Sequence, residues 1–113
     1  MNLNIDRETR NIVYEYMPKQ STLSELAEFF SSFSDVTRAK IICALSISEM
    51  CVGDLAAILN LNQTTCSHQL RYLKEKDIVQ DRRVGKMIYY SIKNQKVADV
   101  LLMGAECMGM IPA

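Results

Sequence analysis

Two sets of side chains in this 113-residue chain could do chemistry. The first is four thiols, Cys43, Cys51, Cys66 and Cys107, which as thiolates are nucleophiles and soft-metal ligands. The second is Gln63, Thr64, Ser67, His68 and Arg71. At about 100° per residue these five return to one side of a helix, while Cys66, Leu70 and Leu73 fall on the other. Hydrogen-bonding side chains at the start of a helix can read base edges: a glutamine binds adenine bidentately, and an arginine holds a phosphate. Arg83 and Lys86 follow as further cations for the nucleic-acid backbone.

Such a surface needs positive charge, and the net charge of zero hides where it lies. Residues 1–35 carry three basic and six acidic side chains, whereas residues 63–96 carry eight basic and three acidic. The cations are gathered around the polar helix, as a local phosphate-binding surface requires. A solvated charged face would give the same tally, so the charge alone does not decide the matter. Residues 1–10 lack the basic start and apolar run of a signal peptide. Asp99 and Glu106 interrupt the apolar C-terminal stretch, so no segment reaches the roughly 18 apolar residues of a membrane helix. A cytoplasmic protein without a membrane partner is expected, and in that compartment the thiols stay reduced.

The elements that must position these residues can be read from periodicity and caps. The length and 49% hydrophobic content suit one domain, residues 1–113, with an N-terminal extension over 1–18. Asp6 to Met17 reads as a short helix stopped by Pro18. Thr22 and Glu25 have capping-box spacing ahead of a stripe of Leu23, Leu26, Ala27 and Phe30. Asp35 is the expected N-cap of a central helix, Val36 to Leu45, whose run Ile41-Ile42-Cys43-Ala44-Leu45 is apolar nearly all round. Val52, Leu55, Ala56 and Leu59 mark the next helix, Asn60-Leu61-Asn62 a turn, and Asn62 the N-cap of the polar helix, so residues 51–76 form a helix-turn-helix. Residues 78–92 then change to period two around Val84-Gly85-Lys86, a β-hairpin with a basic tip. Helical period returns over 96–110 with Val97, Val100, Leu101, Gly104, Ala105 and Met108 on one stripe. That stripe, weakened by its glycines, should owe its order to packing against a copy of itself.

This order describes a mainly α fold with a β-hairpin wing, a winged helix-turn-helix, in which the second helix of the motif can enter the major groove. The stretch "SEMCVGDLAAILNLNQTTCSHQLRYLKEKDIVQDRRVGKMIYYSI" resembles the ArsR/SmtB family of bacterial transcriptional repressors. Members of that family carry E-L-C-V-C/G-D-L, then S-H-x-L, then a G-K/R-x-x-x-Y wing. The upstream "DVTRAKIICAL" is similar to their D-x-x-R-x-R/K-I-L helix, and the match runs from about Leu23 to Met110. The resemblance implies a homodimer built by the first and last helices, double-stranded operator DNA as partner, and release by an inducer.

For the inducer the residues leave alternatives open. One family site is a cysteine cluster around E-L-C-V-C-D-L that binds soft ions; here Cys51 stands alone and Gly53 replaces the second cysteine. Another places zinc ligands on the last helix, where this chain has Asn94, Lys96, Cys107 and Met110. A third branch senses sulfide or oxidants through one cysteine on the second helix and one on the last. Cys43 matches the first of those positions, and Cys107 falls about two residues short of the second, which would rotate it by roughly 200°. Candidate sensing residues are therefore Cys43, Cys107 and Cys51, set against the plainer reading of buried structural thiols. Cys66, with Leu70 and Leu73, belongs to the core face. The sequence assigns no cofactor and no metal. Winged helices can also be protein-docking modules, but the polar helix carries no apolar anchors on its outer side. An enzyme is not expected, because the single histidine has no acid and nucleophile at useful spacing.

Overall fold

The computed structural model describes residues 3–109. The chain divides into two compact units between Phe30 and Ser31. The first holds α1 (Arg7–Tyr16) and α2 (Gln20–Ser31) except for its last residue. Asp6 caps α1, its carboxylate accepting the Thr9 N–H at 2.7 Å, and Pro18 follows the extended Met17 (φ −68°, ψ 122°) as the restriction before proline requires. The Thr22–Glu25 capping box is not the start of α2. Leu23 N–H already donates to the Lys19 carbonyl at 3.0 Å, so Thr22 sits inside the first turn. The helix begins as soon as Pro18 and Lys19 are passed. Leu26 and Phe30 of its apolar stripe remain about half exposed.

The second unit contains α3 (Val36–Ile47), β1 (Met50–Cys51), α4 (Val52–Leu59), α5 (Gln63–Glu75), β2 (Val79–Val84), β3 (Met87–Ile92) and α6 (Gln95–Cys107). Asp35 caps α3 as expected, accepting the Arg38 N–H at 3.1 Å. Ile41, Ile42 and Leu45 of α3 meet Leu55 of α4, Leu70 and Leu73 of α5, Ile78, Val79 and Val97 in one core. Cys43 departs from the apolar-run reading: it is exposed, because α3 buries residues on either side of it and turns it outward. The last helix starts at Gln95, one residue before the expected Lys96, with Asn94 accepting the Lys96 N–H at 3.0 Å. Its expected end at Met110 lies outside the described residues.

The three strands form an antiparallel sheet in the order β1-β3-β2. Met50 pairs with Tyr90, and Val79 to Val84 pair with Ile92 to Met87. Strand β1 has only two residues and leaves no periodic mark in the sequence. Val84 belongs to the strand, so the wing turn is Gly85-Lys86 alone, with Gly85 at φ 63° in the first turn position, where a two-residue II′ hairpin needs a positive value. The alternation along β3 does not become alternating burial, since Ile88 near the tip is 41% exposed.

Candidate nucleic-acid interface

Helix α5 owes its place to its two ends and one side. At the start, Asn62 accepts the N–H groups of Thr64 (2.8 Å) and Thr65 (3.4 Å), satisfying donors that a helix start leaves free. Before it, the backbone reverses in Asn60, which is left-handed at φ 54°, and Leu61 N–H closes back on the Ala56 carbonyl at 2.8 Å. Asp77 repeats the arrangement at the other end, with φ 60° and Ile78 N–H on the Leu73 carbonyl at 2.9 Å. Along the inner side Cys66, Leu70 and Leu73 are completely buried. Burial pushes the Cys66 thiol above its ordinary pKa, so this cysteine is a poor nucleophile.

The outer side is what remains for a ligand. Gln63, Thr64, Ser67, His68 and Arg71 are all exposed and border one shallow concavity. The wing tip comes to the same place, for Gln63 and Lys86 line a common cavity of about 290 Å³ with Val52 and Gly53. Arg83, also exposed, lies on β2 opposite Ile88. The structure therefore brings together five of the expected residues on one helix face and a sixth, Lys86, beside it.

Two contacts that spacing could not reveal hold the wing in place. Arg82 donates through Nε to the Glu49 carboxylate at 2.8 Å and through a terminal nitrogen to its other oxygen, tying β2 to the residue before β1. Those hydrogen bonds from Arg82 hold the Glu49 carboxyl below its ordinary pKa. Lys74 near the end of α5 pairs with Asp81 of β2 at 2.9 Å. Arg82 is thus committed within the protein, while Arg71, Arg83 and Lys86 have no ion pair among the described residues.

The thiols are spread out. Cys51 is buried at the start of α4, while Cys43 and Cys107 are exposed. Cys43 borders a cavity of about 140 Å³ against Ala98, Leu101 and Ala105 of α6. It also edges an apolar hollow of about 700 Å³ with Val36, Ile47 and Ile58. Cys107 is two residues past Ala105, about 200° further around α6, so it lies away from the side that faces Cys43. Among the described residues no three His, Cys, Asp or Glu side chains converge to hold a metal ion, and this donor set does not fit a soft-metal site within one chain. No helix among them is long and apolar enough to cross a membrane.

Comparisons with known proteins agree with this geometry. The profile described as "Bacterial regulatory protein, arsR family" matches residues 35–81, from the cap of α3 to β2. The SmtB homolog, a transcriptional repressor of Synechocystis sp., is 41% identical over 76 residues, which are 67% of this chain and 58% of that protein. A CadC homolog of Staphylococcus aureus, a cadmium resistance regulatory protein, is 38% identical over 86 residues, 75% of this chain and 70% of that protein. The fold is similar to a homodimeric winged helix-turn-helix DNA-binding domain from Mycobacterium bovis, with a TM-score of 0.71, 25% identity, and coverage of 83% of this chain and 90% of that one. With an exposed polar face on α5, a wing braced beside it and these relatives, the chain belongs to the ArsR/SmtB family of bacterial transcriptional regulators.

Proposed function

We propose that this protein is a sequence-specific transcriptional repressor that binds double-stranded operator DNA as a homodimer in the cytoplasm and leaves it when an inducer acts. The observation that carries this reading is the common exposed face of Gln63, Thr64, Ser67, His68 and Arg71 beside the basic wing tip. Gln63, Thr64, Ser67 and His68 offer donors and acceptors to base edges, and Arg71, Arg83 and Lys86 offer charge to phosphates. No apolar anchor lies on that face, which disfavours a protein-docking module. The face holds no nucleophile with a base and an acid, which disfavours an enzyme.

Dimerisation is supported by apolar surface that one protomer leaves uncovered. On α6 and at its C-cap, Leu102, Met103 and Met108 are 54%, 63% and 74% exposed, and on α2 Leu26 and Phe30 are about half exposed. Exposed apolar side chains on a helix suit an interface with a second copy. Anisotropy titration of the reduced protein with the promoter next to its own gene tests the reading. Tight binding that weakens with salt and with scrambling of the sequence is expected; binding indifferent to both would contradict it.

For the inducer, the reading is a thiol-reactive species acting at Cys43 and Cys107, the two exposed thiols. Cys107 lies on the side of α6 turned away from Cys43, which favours modification of each thiol over a link between the two within one chain. A soft metal or metalloid is the second reading. It is favoured by the cadmium resistance regulator among the relatives, and it would have to draw on ligands from both protomers. Treating operator-bound protein with persulfide, peroxide, zinc, cadmium or arsenite separates the two. Release by persulfide or peroxide that is lost in Cys43→Ser or Cys107→Ser supports the first; release only by metals, lost in Cys51→Ser, supports the second. Equal release in all three variants would remove the thiols from sensing.

A further inference from the structure

Arg38 is not on the reading face, yet it is tied more firmly into the protein than any residue that is. Its Nε donates to the Ser32 carbonyl at 2.7 Å, and one terminal nitrogen to the Ser31 carbonyl at 3.2 Å. The other terminal nitrogen reaches Oε1 of Gln69 at 3.4 Å. The guanidinium carbon lies 4.3 Å from the centre of the Tyr72 ring, and the Arg38 N–H is itself held by the Asp35 carboxylate. One planar cation therefore joins the segment before α3 to two residues of α5.

Gln69 and Tyr72 lie roughly 170° and 110° around α5 from the middle of the reading face, at 100° per residue. Arg38 thus grips the helix from a flank that DNA in front of the reading face does not occupy. Apart from its capped ends and the exposed Lys74–Asp81 pair near its C-terminal end, the remaining attachments along α5 are apolar: Cys66, Leu70 and Leu73 bury their side chains, and such contacts are non-directional. They set the depth of the helix but only weakly its rotation and its slide along the axis. A guanidinium fork with fixed donors and a stacked ring is directional and defines both. Base contacts are bidentate and tolerate little displacement, so the rotational setting of α5 is where discrimination between sequences is won or forfeited.

We propose that Arg38 is a positioning residue for DNA reading: anchored on the Ser31 and Ser32 carbonyls, it sets the rotation of α5 through Tyr72 and Gln69. This rests on α5 being the DNA-reading helix. Arg38 touches no DNA in this account, so its replacement must lower affinity and sequence discrimination while every phosphate contact stays in place.

The test is operator titration by anisotropy over a series of salt concentrations, with circular dichroism checking that each full-length variant is folded. Arg38→Met is expected to weaken operator binding about tenfold and to narrow the gap between operator and scrambled duplex. The slope of log K against log salt should stay at the wild-type value. Tyr72→Phe keeps the ring and should bind as wild type, and combining Arg38→Met with Tyr72→Leu should cost no more than the worse single change. Wild-type affinity and discrimination in folded Arg38→Met would overturn the proposal, as would a salt slope reduced by about 1 per protomer, the sign of a direct phosphate contact. If Arg38→Met does not fold, Tyr72→Leu and Gln69→Ala carry the same expectation, and wild-type discrimination in both overturns it. A wild-type protein that binds no sequence selectively removes the operator reading, and this inference with it, whereas selective wild-type binding with an unaffected Arg38→Met removes this inference alone.

Discussion

Arg71 and Gln63 share a helix face but should fail differently when replaced. Arg71 is an exposed cation with no ion-pair partner among the described residues, so Arg71→Ala should weaken binding to all sequences alike and reduce the salt slope by about 1 for each phosphate that the guanidinium neutralises. Gln63→Ala should instead cost about 1–3 kcal/mol on the preferred operator and little on a variant altered at the base it reads. Competition titrations on the two duplexes separate the effects, and identical behaviour of the two variants would show that the reading face is misassigned. These residues were legible in the sequence because helical spacing alone sorts Gln63, Ser67 and Arg71 from Cys66, Leu70 and Leu73. Arg38 was legible only as part of a motif. Its partner Gln69 is 31 residues away, and nothing in linear spacing links a guanidinium to a ring on another helix.

Caps explain why some elements could be read and others could not. Asp35 and Asn62 leave a mark in the sequence because a short acceptor must precede the helix to satisfy its free N–H groups, and both do so in the structure. Asn62→Ala should lower the unfolding free energy by about 1 kcal/mol in denaturant titration, and an unchanged midpoint would mean that the cap contributes nothing. Thr22 has the same chemistry but falls inside α2, because the chain is already helical two residues earlier. Strand β1 is too short for any period to register, and its brace is a charge pair between Glu49 and Arg82. Since the Glu49 carboxyl is held below the ordinary glutamate value of 4.5, the pair's contribution to stability is present above that value and is lost as pH falls through the lowered one. The difference in melting temperature between wild type and Glu49→Gln should therefore shrink below about pH 4. A difference that persisted in acid would point to packing by Glu49 in place of its charge.

At the scale of the whole molecule, the excess of basic residues over 63–96 leaves Arg71 on α5 and Arg83 and Lys86 on the wing exposed and without an ion pair among the described residues, the surface proposed to meet DNA. The apolar stripes of α2 and α6 were also visible in the sequence, but periodicity cannot tell a stripe that meets its own core from one left for a second copy. In the structure Val97 of the α6 stripe is buried, whereas Met108 just after the helix and Leu102 and Met103 beside the stripe are exposed, which is the surface proposed for a second copy. A homodimer would present two α5 helices to successive major grooves, with half-sites about one helical turn, roughly 34 Å, apart. The most direct test of DNA reading is a titration of the reduced protein with duplexes carrying two promoter half-sites, followed by anisotropy, with the spacing between half-sites varied in single base pairs. One dimer should bind each duplex, with an optimum at a spacing of about one turn and weaker binding by about five base pairs on either side of the optimum, roughly half a turn. Affinity that ignored both the spacing and the sequence of the half-sites would contradict it.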